Sequence, residues 1–204
     1  MKRTFVWAVS VATLIGVGTA NAASPKLKGE YAFTGSAACL VSGTPFNANL
    51  TPSSFTVSTS FSVVGIRTFN GDGTGTIKGR SVSINPPPVT NTNTTPPTTP
   101  LGGISANNSD FTASFTYSID SAGLLTTQLV PGSFLGTGIG PSAGSTFTVD
   151  NFSLVGMMSV NNETIVLATP QAAEEIQTIT PTVGAPFNRY RICHRSRVLI
   201  RTGN

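Results

Sequence analysis

The sequence predicts an all-β protein: a single antiparallel, mostly up-and-down β-barrel of about eight to ten strands, closed by a disulfide. Three observations predict it. Several segments alternate apolar and polar residues with period two, as half-buried strands do. Gly, Asn and Asp turn signals separate them. Two cysteines, Cys39 and Cys193, stand near opposite ends of the chain. Charged residues make up only 10% of the 204, while Ser, Thr and Asn together approach a third. An average domain carries about 25% charged residues, so this composition excludes a coiled coil, a charged disordered tail and long surface helices. The length suits one domain with its own core.

The N-terminus reads as an address. Met1-Lys2-Arg3 is a short basic region, Phe5 to Val17 carries no charge, and Ala20-Asn21-Ala22 places small residues where a signal peptidase reads. Residues 1–22 are therefore expected to be a secretory signal peptide and 23–204 the barrel domain. A transmembrane anchor is the competing reading. It is disfavoured because the apolar run falls short of the roughly 20 residues that span a bilayer. No later segment is apolar enough to span as a helix. The expected location is the periplasm or the exterior.

Along the domain, Tyr31 and Phe33 alternate within 29–34, and Phe61, Val63 and Phe69 share one parity, with Val64 and Ile66 on the other. The cleanest strand holds Phe111, Ala113, Phe115, Tyr117 and Ile119 on one face and Thr112, Ser114, Thr116 and Ser118 on the other. Residues 165–168 and 190–201 add more. Asn70-Gly71-Asp72-Gly73, Asp120-Ser121-Ala122-Gly123 and Asn161-Asn162 read as hairpin turns between strand-like runs. Only Gln171 to Gln177 looks mildly helical. Segment 85–108 contains Pro86-Pro87-Pro88 and Thr/Asn/Pro repeats, and is expected to be a Pro/Thr-rich loop, since proline cannot sit in a central strand. A second, Gly-rich loop is expected over 131–144.

An even cysteine count in an exported chain points to a Cys39–Cys193 disulfide. Two free thiols are the alternative. A closed barrel makes the first and last strands neighbours, which brings these residues within bonding distance and removes the sheet edge.

The run Leu27-Lys28-Gly29-Glu30-Tyr31-Ala32-Phe33 reads L-x-G-x-Y-x-F, and Thr68-Phe69-Asn70-Gly71-Asp72-Gly73-Thr74-Gly75 reads T-F-N-G-D-G-x-G. Together they resemble small exported bacterial β-proteins, in which such runs mark a strand and a hairpin. The overall form is similar to β-barrels of the calycin or allene-oxide-cyclase-like kind. The resemblance implies the barrel and the exported compartment and supplies no catalytic residue.

The catalytic inventory is poor. His194 is the sole histidine. It neighbours Cys193 in a predicted strand, where adjacent side chains point to opposite faces. No G-x-S-x-G elbow is present. The acidic residues select no glycosidase pair. The Asp72 turn lacks the alternating ligands of a calcium loop. No metal ligand set, cofactor or catalytic residue is assigned.

The most distinctive feature is C-terminal. Arg189, Arg191, Arg195, Arg197 and Arg201 share odd parity, and Tyr190, Ile192, His194, Ser196, Val198 and Ile200 take the even positions. The preferred reading puts the arginines on a solvated outer face that keeps the sheet soluble. The sharper reading is an anion-binding face, because arginine grips carboxylate and phosphate bidentately. Nucleic acid is disfavoured, since no stacking aromatics interleave with the arginines. An outer-membrane barrel is also disfavoured, because the strands are short and aromatic girdles are missing.

The expected function is therefore a noncatalytic binding or structural protein of the bacterial envelope or exterior. Its expected partner is a small apolar ligand or an anionic envelope component, and a monomer is expected. Phe33, Phe61, Phe111, Phe115, Tyr117 and Phe147 would line or fill the lumen. The alternative is an allene-oxide-cyclase-like barrel enzyme acting on a small apolar substrate. A cavity of about 300 Å³ would favour ligand or enzyme over a structural role.

Overall fold

The computed structural model describes residues 27–52, 56–85 and 105–203. The signal-peptide reading and most of the Pro/Thr-rich segment lie outside these residues. Eleven antiparallel strands form one sheet: β1 Lys28–Ser42, β2 Thr56–Asn70, β3 Thr74–Asn85, β4 Ser105–Ile119, β5 Leu124–Leu129, β6 Leu135–Ile139, β7 Thr146–Val149, β8 Ser153–Met158, β9 Thr164–Ala168, β10 Glu174–Thr180 and β11 Phe187–Arg201. The first strand pairs with the last, and Cys39 lies directly opposite Cys193 in that ladder. Their sulfurs are bonded. The barrel is thus closed, as the cysteine positions predict.

The chain closes its ring twice. The long strands β1, β2, β3, β4 and β11 run the full height. At the lower end β5, β8 and β9 bridge β4 to β11, through Phe115–Ile119 of β4 and Ser196–Ile200 of β11. At the upper end β6, β7 and β10 bridge the same two strands, through Asn108–Thr112 and Phe187–Ile192. Each level is an eight-strand ring. Between the levels β4 and β11 each lose the neighbour on one side, and loop residues take over the free backbone groups there. Ser133 Oγ donates to the Ser114 carbonyl (3.0 Å) and accepts from the Ser114 N–H (3.1 Å). Thr169 does the same for Arg195, through its Oγ1 at 2.9 Å and its N–H at 3.0 Å.

The three predicted hairpin turns are present. Asp72 Oδ1 accepts from the Thr74 N–H (2.9 Å), and Asp120 Oδ1 accepts from the N–H groups of Ala122 and Leu124 (both 2.9 Å). These bonds give both carboxylates a turn-forming role. Three local readings are corrected. The stretch expected to be helical contributes strand β10, whose Glu175, Gln177 and Ile179 follow period two. The Gly-rich segment 131–144 contains β6 and a single 3-10 turn, Gly140–Ser142. At the edges of the Pro/Thr-rich segment, Asn85 pairs with Ser105, so both belong to strands, as do residues 106–108.

The lower level is filled. Tyr31, Phe33, Phe69, Phe115, Leu125, Leu154, Ile165, Leu167 and Leu199 form one buried cluster. Phe69 meets Tyr31, Phe115 and Tyr117 edge-on at 5.1–5.4 Å, a favoured aromatic geometry. Two hydroxyls tie this end shut: Tyr31 donates to the Asn162 carbonyl (2.6 Å), and Tyr117 donates to that of Leu27. Among the described residues, no helix is long and apolar enough to cross a membrane.

Candidate functional site: an arginine-lined upper lumen

Above this apolar base the barrel is open inside. A cavity of about 300 Å³ occupies the upper level. The odd-numbered residues of β11 face it, which corrects the preferred placement of the arginine row. Arg191, Arg195 and Arg197 are buried within the barrel, and the even row, including His194, Val198 and Ile200, faces outward and is exposed. The disulfide puts Cys39 and Cys193 on one face of the ladder, their burial makes that the inner face, and the odd residues of the strand share it. Arg189 lines the cavity nearer the end of the strand. Arg201 does not join the group; it sits at the lower end and donates to the Lys28 carbonyl (3.2 Å). Cys193 and His194 point to opposite sides of the wall, so they form no dyad.

A fifth arginine completes the lining. Arg67 of β2 is 3% exposed, lies 5.1 Å above the Phe115 ring and marks the cavity floor. The sequence held a signal for it: an arginine in the inward parity of Phe61, Val63 and Phe69. Five guanidinium groups thus line the cavity, and among the described residues no carboxylate reaches its surface. Glu175 of β10 points inward opposite Arg191, but the arginines cover it, at 3% exposure. Its Oε1 accepts from Arg191 Nη2 (2.9 Å), and its Oε2 accepts from Arg195 Nη2 (2.6 Å). Glu175 was overlooked in the sequence because its segment reads as helical.

Among the described residues, Arg67 and Arg197 have no acidic partner. Arg197 Nη1 donates to the carbonyls of Ser36 (2.7 Å) and Ser196 (2.6 Å). Gly35 makes that pose feasible, because a Cβ there would stand 2.5 Å from Arg197 Cδ. Arg67 Nη1 reaches only Thr127 Oγ1, at 3.5 Å, and its Nε is buried with no protein acceptor. Burial pulls the Arg67 pKa down to about 10. Burial, joined by repulsion from Arg195 and Arg67, pulls that of Arg197 down to about 9. Both stay charged at neutral pH, clustered with Arg195 and short of counter-charge.

The rest of the lining is aromatic and small-polar. All six aromatic residues expected in the lumen face inward. Phe33, Phe61, Phe111 and Phe147 line the cavity, whereas Phe115 and Tyr117 belong to the packed base. Phe134 and Phe152, from loops between the short strands, join them, and Phe134 stacks on Phe111 at 5.6 Å. Ser81, Asn107 and Ser109 supply hydroxyl and amide groups on the β3–β4 side.

Cys39, Cys193 and Glu175 bring ligand-type atoms within 4.8 Å of one another. The disulfide uses both sulfurs, so this group is not a metal centre as it stands. Glu175 Oε1 lies 2.9 Å from Cys193 Sγ, but a disulfide sulfur has no proton to donate. The class that fold and site define is a closed β-barrel with a cationic, aromatic-walled lumen. No family model matches the chain, and no curated protein sequence matches it.

Proposed function

We propose that this is an exported, noncatalytic binding barrel of the bacterial envelope or exterior, which takes one small anionic ligand with an apolar body into its upper lumen. The observation that carries the reading is the cavity wall: among the described residues, five arginines against a single inward carboxylate, Glu175, around about 300 Å³ of space. An unpaired buried charge costs several kcal/mol, and an anion in the lumen would offset that cost. The phenylalanines offer the apolar surface that small-molecule pockets use for most of their contact area. A purely structural barrel would gain stability by filling this space with side chains, as the lower level does. The outer wall supports a water-facing barrel: Arg80 and Asp110 pair across β3 and β4 at 2.7 Å with both side chains exposed. The signal-like N-terminus supports export. The lining offers carriage more than chemistry, because among the described residues no histidine or free thiol faces the cavity, and the inward carboxylate, Glu175, is held by Arg191 and Arg195.

The test is to isolate the protein from its exported fraction and weigh it under native and denaturing conditions. The expected result is a noncovalent adduct of a small acid that is lost on denaturation. Protein that arrives without adduct, and whose melting temperature does not move with any small organic acid, would count decisively against the reading.

A further inference from the structure

We infer that the lumen holds its ligand head-down: the anion-binding subsite is the Arg67–Arg197 pair at the cavity floor, and the ligand is a monocarboxylate on a compact ring or short apolar body. This inference rests on the binding reading above and adds where the charge sits and what carries it.

The five arginines are not equivalent. Arg191 and Arg195 already share the carboxylate of Glu175. Arg195 also lies over the Phe152 ring, 4.7 Å from its centroid. Arg189 lies 5.4 Å from the centroid of Phe187 and is itself exposed. Arg67 and Arg197 are deeply buried, at 3% and 7% exposure, and have only neutral oxygens as partners. Arg67 Nε, buried without an acceptor as Arg191 Nε also is, lies at the depth where an incoming acid would stop, because the Phe69–Phe115 cluster closes the barrel beneath it.

The chemistry of the site selects the ligand class. Two guanidinium forks match a planar carboxylate, which accepts several short, charge-assisted bonds at once. Arg197 has already committed one nitrogen to two carbonyls, so the pair offers few free donors. A carboxylate is satisfied by few, whereas a phosphate dianion loses a larger hydration shell and needs more. Above the pair the wall carries Phe61, Phe111, Phe134 and Phe147, which suit an apolar body, while two of the three arginines at that height, Arg191 and Arg195, are already engaged by Glu175. The volume limits that body to about the size of a phenyl ring on a short chain.

Calorimetric titration of the disulfide-bonded protein with 3-phenylpropionate, 3-phenylpropanamide and inorganic phosphate tests this. The acid is expected to bind at least about tenfold tighter than the amide, and phosphate to bind more weakly than the acid. Arg67→Met and Arg197→Met should each weaken the acid by about tenfold or more, while Arg80→Met on the outer wall leaves it unchanged. Arg67→Met should also melt at or above the parent temperature, since it removes an uncompensated buried charge; a merely structural arginine would lower it. Should that variant not fold, Arg67→Lys keeps the charge without the fork and should weaken the acid by about threefold or more.

A loss in Arg189→Met equal to or larger than that in Arg67→Met would place the charge at the mouth. It would overturn the head-down inference and leave the binding reading standing. Phosphate binding as tightly as the acid would overturn the carboxylate assignment alone. Equal binding of acid and amide, or no binding by either, would sink both.

Discussion

Arg67 and Arg197 show how a buried charge sets stability, and how a bound anion would change it. Burial holds their pKa values in the folded protein at about 10 and about 9, well below that of a free guanidinium. Folding therefore disfavours the charged forms. That penalty is fully present below about pH 9 and is relieved as pH rises through the folded values toward the unfolded one. The melting temperature of Arg67→Met should exceed that of the parent at neutral pH, and the gap should narrow above about pH 9.5. Carboxylate affinity should run the other way, flat to about pH 8 and falling as Arg197 loses its proton. Paired melts and titrations across that range check both signs. At this scale the sequence was half legible. The spacing of Arg189, Arg191, Arg195 and Arg197 disclosed a shared face, yet the face was assigned to the wrong side of the wall. Val198 and Ile200 resemble a core row, and arginine resembles surface. In a closed ring the inner surface is small and the outer large, so apolar side chains spill outward, with Ile200 at 59% and Val64 at 60% exposure.

Strands with strong alternation and clear turns, such as β4 and its hairpin partners, were readable because local chemistry and tertiary role agree. The short upper strands were not. Ala172-Ala173-Glu174-Glu175 favours helix by propensity, but pairing of Glu174 and Glu175 with β11, continued by Gln177–Thr180 against β7, overrides it. Strand β6 looks like loop because Gly136 and Gly138 interrupt it, and the reason for glycine is visible only in three dimensions. A Cβ on Gly136 would stand 2.2 Å from the Phe147 ring, which lies across it from β7. Gly136→Ala should thus destabilise the protein by about 1–3 kcal/mol and shift Phe147 within the cavity. Denaturant titration checks the first effect, and a change in carboxylate affinity checks the second. The same substitution at Gly123, with nothing within 4 Å, meets no such contact, and its cost there is confined to its positive φ of 81°.

Ring closure is shared between covalent and noncovalent links. The disulfide joins residues 154 apart in sequence, and β1 and β11 are paired over twelve residue positions, from Tyr31–Arg201 to Ser42–Tyr190. Replacing both cysteines by alanine should cost about 2–5 kcal/mol while leaving the β-sheet circular dichroism spectrum intact, because the ladder still closes the ring. Loss of that spectrum at ambient temperature would show that the bond itself is required for closure. Doubling of the ring has a further consequence. The five tall strands and the lower girdle are the foundation, and the upper girdle comes from two other stretches, β6–β7 and β10, which face the cavity. Changes in those stretches would reshape the cavity while leaving the packed base in place. The molecule is in this sense a socket on a fixed stem, in which new preferences can be acquired by exchanging one collar.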